Sequence, residues 1–210
     1  MRKLLITVAV LVALFLAADF GLKAVAEAES AKVLQSSLRL STKPSVSLGG
    51  FPFLAHFASG DFPDVTLEAH RFTADKVPIQ LARILMHDVR FSTSQLLGGK
   101  TGTVKVGSGD GTATLTGDGV TAALRAQGVG ATVRLEGGKA VISSPDLPGG
   151  KATGELEVRN GLLVLRSSVA GTTYSLPLPQ IVRGISYTGA RIEGDMAVLA
   201  FTVERTSFKL

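Results

Sequence analysis

Hydrophobic positions divide the chain into a continuous apolar run, a stretch with helical spacing, and a long region in which apolar residues alternate. Residues 4–18 form the apolar run, with Arg2 and Lys3 before it and Asp19 closing it. In residues 20–38, Phe20, Ala24, Ala28, Ala31, Leu34 and Leu38 recur at intervals of three and four. Lys23, Glu27, Glu29 and Lys32 fall between them, which predicts an amphipathic helix packed on the rest of the protein. From residue 65 the period drops to two. Residues 65–72 alternate as a strand; Val77, Ile79 and Leu81 do the same before the parity slips to Ile84 and Met86, as in a bulged strand. Pro78 offers a second reading of that segment, as the opening of a helix over 79–86.

Further on, Ser92 or Thr93 caps a short helical turn ending at Gly98 and Gly99. Residues 103–106 and 112–115 read as short strands around the glycine-rich segment 107–111. Asp118 then caps a helix carrying Val120, Ala123 and Leu124 on one face, with Gly128 just past its end. Residues 131–136 and 139–143 flank Gly137-Gly138, and 151–158 and 162–167 flank Asn160-Gly161, two hairpins with two-residue turns. A last hairpin, 185–192 with 196–204, turns at Glu193-Gly194-Asp195. Before it, Leu176-Pro177-Leu178-Pro179 lacks the donors for a full ladder and reads as an extended crossing segment. The sum is one α+β domain over residues 19–210, an antiparallel meander carrying two or three helices.

One short segment stands apart. Phe51, Phe53, Phe57 and Phe62 fall within twelve positions, among Gly49, Gly50, Gly60, Pro52 and Pro63. Glycines open backbone angles closed to other residues and prolines fix φ, so the segment reads as a shaped turn region and not as the middle of a helix or strand. Four phenyl groups without a polar handle need either core or another apolar partner against them. Two readings follow: the rings plug one end of the core, or they form the mouth of an apolar cavity.

The start of the chain reads as an export signal. Its fifteen residues, apolar but for Thr7, cover ~22 Å of helix, short of a ~30 Å hydrocarbon core, which suits a signal peptide better than a comfortable span. Ala24-Val25-Ala26 and Ala26-Glu27-Ala28 have the small residues of a cleavage site but lie well past the run, inside the helical stretch. A cleaved signal and a retained anchor over residues 1–18 both remain open, and in either case Arg2 and Lys3 hold the amino terminus inside while the body crosses. The net charge is +5; residues 1–26 carry Arg2, Lys3 and Lys23 against Asp19 alone, so the body without them keeps +3, scattered and without a block of like charge. That suits weak attraction to an anionic membrane surface and excludes nucleic acid as a partner.

Catalytic chemistry finds little material. The absence of cysteine removes disulfides, thiolate metal sites and cysteine nucleophiles. Gly107, Gly109 and Gly111 do not have the spacing of a dinucleotide loop, and there is no phosphate-binding G-x-x-x-x-G-K. His56, His70 and His87 stand 14 and 17 residues apart with no zinc-binding spacing, so no metal or cofactor is expected. Ser108 lacks a nucleophile elbow, and Asp61 and Asp64 suit turn or capping roles better than an acid–base pair. No catalytic residue is assigned.

The block Gly50-Phe51-Pro52-Phe53-Leu54, followed by Ser59-Gly60 and the alternation Val65, Leu67, Ala69, resembles the signature of the LmeA-like phospholipid-binding family of actinobacterial envelope proteins. Weaker similarity falls at residues 115–124, 135–141 and 176–181, so the resemblance runs over essentially the whole chain. It implies a lipid-carrier-like fold, with a curved antiparallel sheet wrapped on a long N-terminal helix. It also implies an exported protein on the periplasmic side of the plasma membrane or in the cell envelope. Such a protein binds phospholipid in an apolar groove, without enzymatic activity, and supports envelope lipid or lipoglycan assembly beside envelope biosynthetic enzymes. The residues expected to line the groove are Phe51, Phe53, Leu54, Phe57, Phe62, Leu34, Ala31 and Leu67. Ala55-His56 departs from the polar pair expected after Phe53-Leu54, which bears on the shape of the mouth. The competing expectation is a membrane-anchored structural or interaction protein whose core is filled by its own side chains.

Overall fold

In the computed structural model, which describes residues 2–98, 102–169, 172–181 and 184–209, the apolar run and the amphipathic stretch merge into one helix, α1 (Arg2–Ser37). Its inward face carries Asp19, Ala26, Ser30, Ala31 and Val33, flanked by Leu22 and Leu34. These positions recur every 3.6 residues or so, as one helical stripe must. The face expected from hydrophobicity is therefore rotated. Ala31 and Leu34 do point inward, but Phe20, Ala24 and Leu38 are exposed. The cause is that a carboxylate and small residues occupy the buried stripe, so that hydrophobic size alone pointed to the wrong side.

After β1 (Ser45–Leu48) and a short helix α2 (Phe53–Ser59), β2 (Asp61–Ala74) and β3 (Val77–Arg90) form a long antiparallel hairpin. Pro78 lies in this strand, paired with Thr73, so the strand reading of the segment holds over the helical one. The parity slip is real and is shared by both strands. In β3 the buried residues run Val77 and Ile79, then Ala82, Ile84 and Met86, then Val89; β2 answers with Phe72, then Ala69 and Val65, then Phe62. The pairing register is unshifted across the switches, which sit where Arg71 and Asp88 adopt left-handed backbone angles of +46° and +53°. The hairpin thus turns its buried face without a one-sided bulge.

Next come α3 (Thr93–Leu97), β4 (Thr103–Val106) and β5 (Ser108–Thr116). Of the glycines expected to form a loop, Gly107 stands at the bend between β4 and β5, but Gly109 and Gly111 continue β5 as a strand between β3 and a later strand, β12 (Met196–Val203). Gly111 is opposite Phe201, and a Cβ there would stand 2.5 Å from Phe201 Cζ. The missing side chain is what lets the ring lie across the strand. Helix α4 (Gly117–Ala126) is capped by Thr116, whose hydroxyl accepts the Gly119 N–H at 3.1 Å; Asp118, the expected cap, lies in the first turn. Thr121 pins α4 to β6 (Thr132–Glu136): its hydroxyl accepts the Val133 N–H at 2.8 Å and donates to the Val133 carbonyl at 3.3 Å.

Among the described residues the strands form two open antiparallel sheets. One runs β1-β2-β3-β5-β12-β11, where β11 is Ile185–Glu193; β4 joins it through β3 and carries β13 (Thr206–Lys209) as its other partner. The other is a meander in chain order: β6, β7 (Lys139–Ser143), β8 (Lys151–Arg159), β9 (Leu162–Ser167) and β10 (Thr173–Pro177). The two expected hairpins are both present, with positive φ at Gly137, Gly138, Asn160 and Gly161 as primed turns require. The first part of the expected crossing segment is an edge strand, where Pro177 costs no ladder bond needed by a neighbour. One hydrophobic cluster extends from Ala26 and Ala31 of α1 through both sheets and α4. The fold is α+β, as expected, with a long N-terminal helix against large antiparallel sheets.

Candidate apolar site at the foot of the first helix

The phenylalanine block does contain a helix, α2, which the sequence reading took for a turn. A helix of seven residues has few internal hydrogen bonds, and its first-turn N–H groups need partners. Pro52 at the N-cap offers none from its side chain. Asp19 supplies them from 34 residues upstream: one carboxylate oxygen accepts the Phe53 N–H at 3.0 Å and the other the Leu54 N–H at 2.8 Å. Asp19 itself is only 2% exposed. A buried carboxylate at a helix N-terminus is stabilised by the aligned peptide dipoles as well as by the two bonds. At the other end, Gly60 takes φ +71° and its N–H reaches the His56 carbonyl at 2.8 Å, while its own carbonyl accepts the Phe91 N–H at 3.0 Å.

α2 presents its rings to the hairpin. Phe57, Phe53, Phe62 and Phe91 form a continuous row, with centroid separations of 5.7, 5.8 and 4.8 Å; Phe62 and Phe91 are stacked at 10°. Phe53 is 0% exposed and Phe62 is also buried, whereas Phe51, two residues before Phe53, is 65% exposed. Leu54 is half-buried. Leu34, Phe57 and Leu67 pack against the same cluster that holds Ala31, Phe53 and Phe62. Six of the eight expected groove residues therefore share one apolar body, with Leu54 at its margin and Phe51 outside. Sequence reasoning missed Phe91, brought to the row by the β2–β3 pairing, and Asp19, whose role depends on a contact far along the chain.

Polar contacts frame this corner. Glu27 on α1 accepts the Leu48 N–H at 2.8 Å and ties the helix to β1. Ser30, buried on the inner face of α1, has a hydroxyl without a hydrogen-bond partner. His56 packs over Gly50 and its Nδ1 lies 2.9 Å from the Asp61 carbonyl oxygen, so the Ala55-His56 departure is accommodated by a glycine. On the outer face of the hairpin, Asp61 pairs with Arg90 at 2.7 Å and Asp64 with His87 at 2.6 Å; Glu68 bonds both Arg83 and His70. Hydrogen bonding from Arg83, then from His70, holds the Glu68 carboxyl below the ordinary glutamate range. Asp61 and Asp64 thus serve separate cross-strand pairs and do not face a common substrate position. No group of three metal-ligating side chains occurs among the described residues.

A membrane-length helix, open antiparallel sheets and an apolar corner at the foot of that helix define an α+β protein built around hydrophobic contact and not around a polar constellation. The chain belongs to the LmeA-like phospholipid-binding family, whose model matches residues 17–202. No curated protein and no solved structure matches it.

Proposed function

We propose that the protein is an exported, non-enzymatic phospholipid carrier of the cell envelope. Its single domain, residues 19–210, takes lipid at the α1–α2 corner and serves envelope lipid or lipoglycan assembly on the outer side of the plasma membrane. The observation that carries this reading is the match to a phospholipid-binding family over nearly the whole chain, including the corner. The graded burial from exposed Phe51 through half-buried Leu54 to buried Phe53 supports it, because it sets apolar surface that meets solvent directly beside the core. Partly exposed Leu34, Phe57 and Leu67 extend that surface. Each buried CH₂ contributes ~0.8 kcal/mol, so an acyl chain of about 16 carbons carries on the order of 10 kcal/mol gross, with no charged contact required.

A second reading draws on the same corner. Phe53 and Phe62 are almost completely shielded from solvent by the protein's own residues, as they would be in an anchored interaction protein with a solid core. Transfer of fluorescent phospholipid between vesicles separates the two, run beside thermal melts. For a carrier, Phe57→Asp and Leu34→Asp abolish transfer while raised salt does not, since the burial of acyl chain is insensitive to screening. Loss of transfer with salt alone, with both variants still active, would refute the apolar site. Ala replacements of His56, Asp61, Asp64 and Ser108 leave transfer in place; a thousandfold loss at one of them with an unchanged melt would mark an enzyme instead.

A further inference from the structure

Among the described residues, the outward face of α1 is exposed over most of its length. Ile6, Val8, Val10, Leu11, Val12, Leu14 and Phe15 are exposed, and the exposure continues beyond Asp19 through Phe20, Ala24 and Val25. Phe20 is 62% exposed, and a Cβ on Gly21 would touch nothing. The polar residues of this stretch, Asp19, Lys23 and Glu27, are turned toward the domain: Asp19 caps α2, Glu27 binds β1, and Lys23 lies 3.8 Å from Glu27. Beyond residue 28 the charges Glu29 and Lys32 follow, paired with each other, with the Lys32 side chain exposed. Measured on that side, the apolar length is residues 6–28, about 34 Å at 1.5 Å per residue, which exceeds the ~30 Å of a bilayer core. The run that looks too short in the sequence is long enough once the side on which Asp19 points is known.

The two sequences that resemble cleavage sites lie inside this helix, and Ala26, common to both, is completely buried. Cutting there would remove Asp19 and Leu22 from the folded protein and leave the first-turn N–H groups of α2 without their acceptors. The family match also begins at residue 17, ahead of both sites.

We infer that α1 is retained as an uncleaved membrane anchor whose outward apolar face, through Phe20 to Ala28, lies in the outer leaflet. This seats the α2 corner, with exposed Phe51, in the lipid interface. The occupant of the face is the bilayer because the same helix is the one membrane-length segment among the described residues and the face continues it without a break. The inference rests on the proposed carrier role only for its purpose: the corner would draw lipid from the membrane to which it is fixed.

Two measurements test it. The mass of the full chain recovered from envelopes should include residues 1–28, and alkaline carbonate should leave it with the membrane; a product beginning at residue 27 or 29 in the soluble fraction overturns the inference. The chain contains no tryptophan, so single probes are clean. In vesicles of phosphatidylcholine and phosphatidylglycerol brominated along their acyl chains, Phe20→Trp should lose roughly half or more of its emission, as expected ~5–10 Å into the interface. Leu162→Trp, in the second sheet, should lose none. Equal emission from both probes, or a shielded Phe20→Trp probe in a crosslinked dimer, refutes the membrane face. Retention and quenching with no lipid transfer would refute the carrier reading and leave the anchored interface standing; transfer by a cleaved, soluble chain would do the reverse.

Discussion

Replacing Asp19 by Ala removes both acceptors that hold the start of α2, at 2.8 and 3.0 Å. The Phe53 N–H belongs to a residue with no exposed surface, so it gains no water in exchange. One buried donor left unmade costs ~1–3 kcal/mol. The Leu54 N–H belongs to a half-buried residue and recovers part of its loss by hydration. Against these stands the relief of no longer burying a carboxylate, and measured losses of helix caps, which include all such terms, are ~0.5–2 kcal/mol. Two charge-assisted bonds at a buried site put Asp19→Ala at or just above the upper end, at ~2–3 kcal/mol. For a protein of this size that is a fall of about 5–10 °C in Tm. Asp19→Asn keeps one carbonyl acceptor but no charge, and should fall about half as far. The assay is a thermal melt of the full chain in detergent, with amide exchange measured over residues 53–59. A melt of Asp19→Ala within ~1 °C of the parent, with the Phe53 and Leu54 amides equally protected, would refute the assignment of Asp19 as the cap.

Three further outcomes follow from packing and charge. Phe53→Ala empties the centre of the ring row and should cost ~3–5 kcal/mol in chemical denaturation; a loss under ~1 kcal/mol would mean that the row collapses freely. Gly111→Ala places a methyl group against the Phe201 ring and the Arg83 carbonyl, and should destabilise by ~1–3 kcal/mol; Phe201→Leu beside it should recover part of that loss, and no recovery would shift the blame to the backbone. Because Glu68 has a lowered pKa, its contribution is fully present at neutral pH and is lost as pH falls through its folded value, below the ordinary 4.5. Glu68→Gln should therefore flatten the acid limb of a stability profile, by under ~1 kcal/mol for so exposed a pair, and an unchanged limb would contradict the pairing with Arg83.

Features set by neighbouring residues were legible in the sequence. The Gly137-Gly138 and Asn160-Gly161 hairpins were read correctly because both turn residues must adopt positive φ and few residue types do so. The face switch in β3 was visible as a change in hydrophobic parity, although its counterpart in β2 was hidden by half-buried Phe72 and by Pro63. What failed depended on distant partners. Helix α2 looked like a turn because its cap is 34 residues away. The glycines of β5 looked like a loop because nothing nearby announces that Phe201 lies across Gly111. The inward face of α1 was misjudged because its first member is a carboxylate. At the candidate site, the phenylalanines were identified from their crowding, but the sequence alone did not divide them into buried Phe53 and Phe62 and exposed Phe51.

The order of strands also bears on how such a chain survives its own synthesis. β5 pairs with β3 on one edge and with β12 on the other, and about 80 residues, including the whole second sheet, separate β5 from β12. Until residues 196–203 arrive, the hairpin of β2 and β3 ends in an uncovered strand whose donors and acceptors from Gly109 to Thr116 are open to any extended chain nearby. Such distant pairing slows folding, because the loop must close before the strand is rewarded by its partner. The final strands thus act as a seal applied last: a chain released before residue 196 keeps a sticky edge, and only the arrival of β12 closes it.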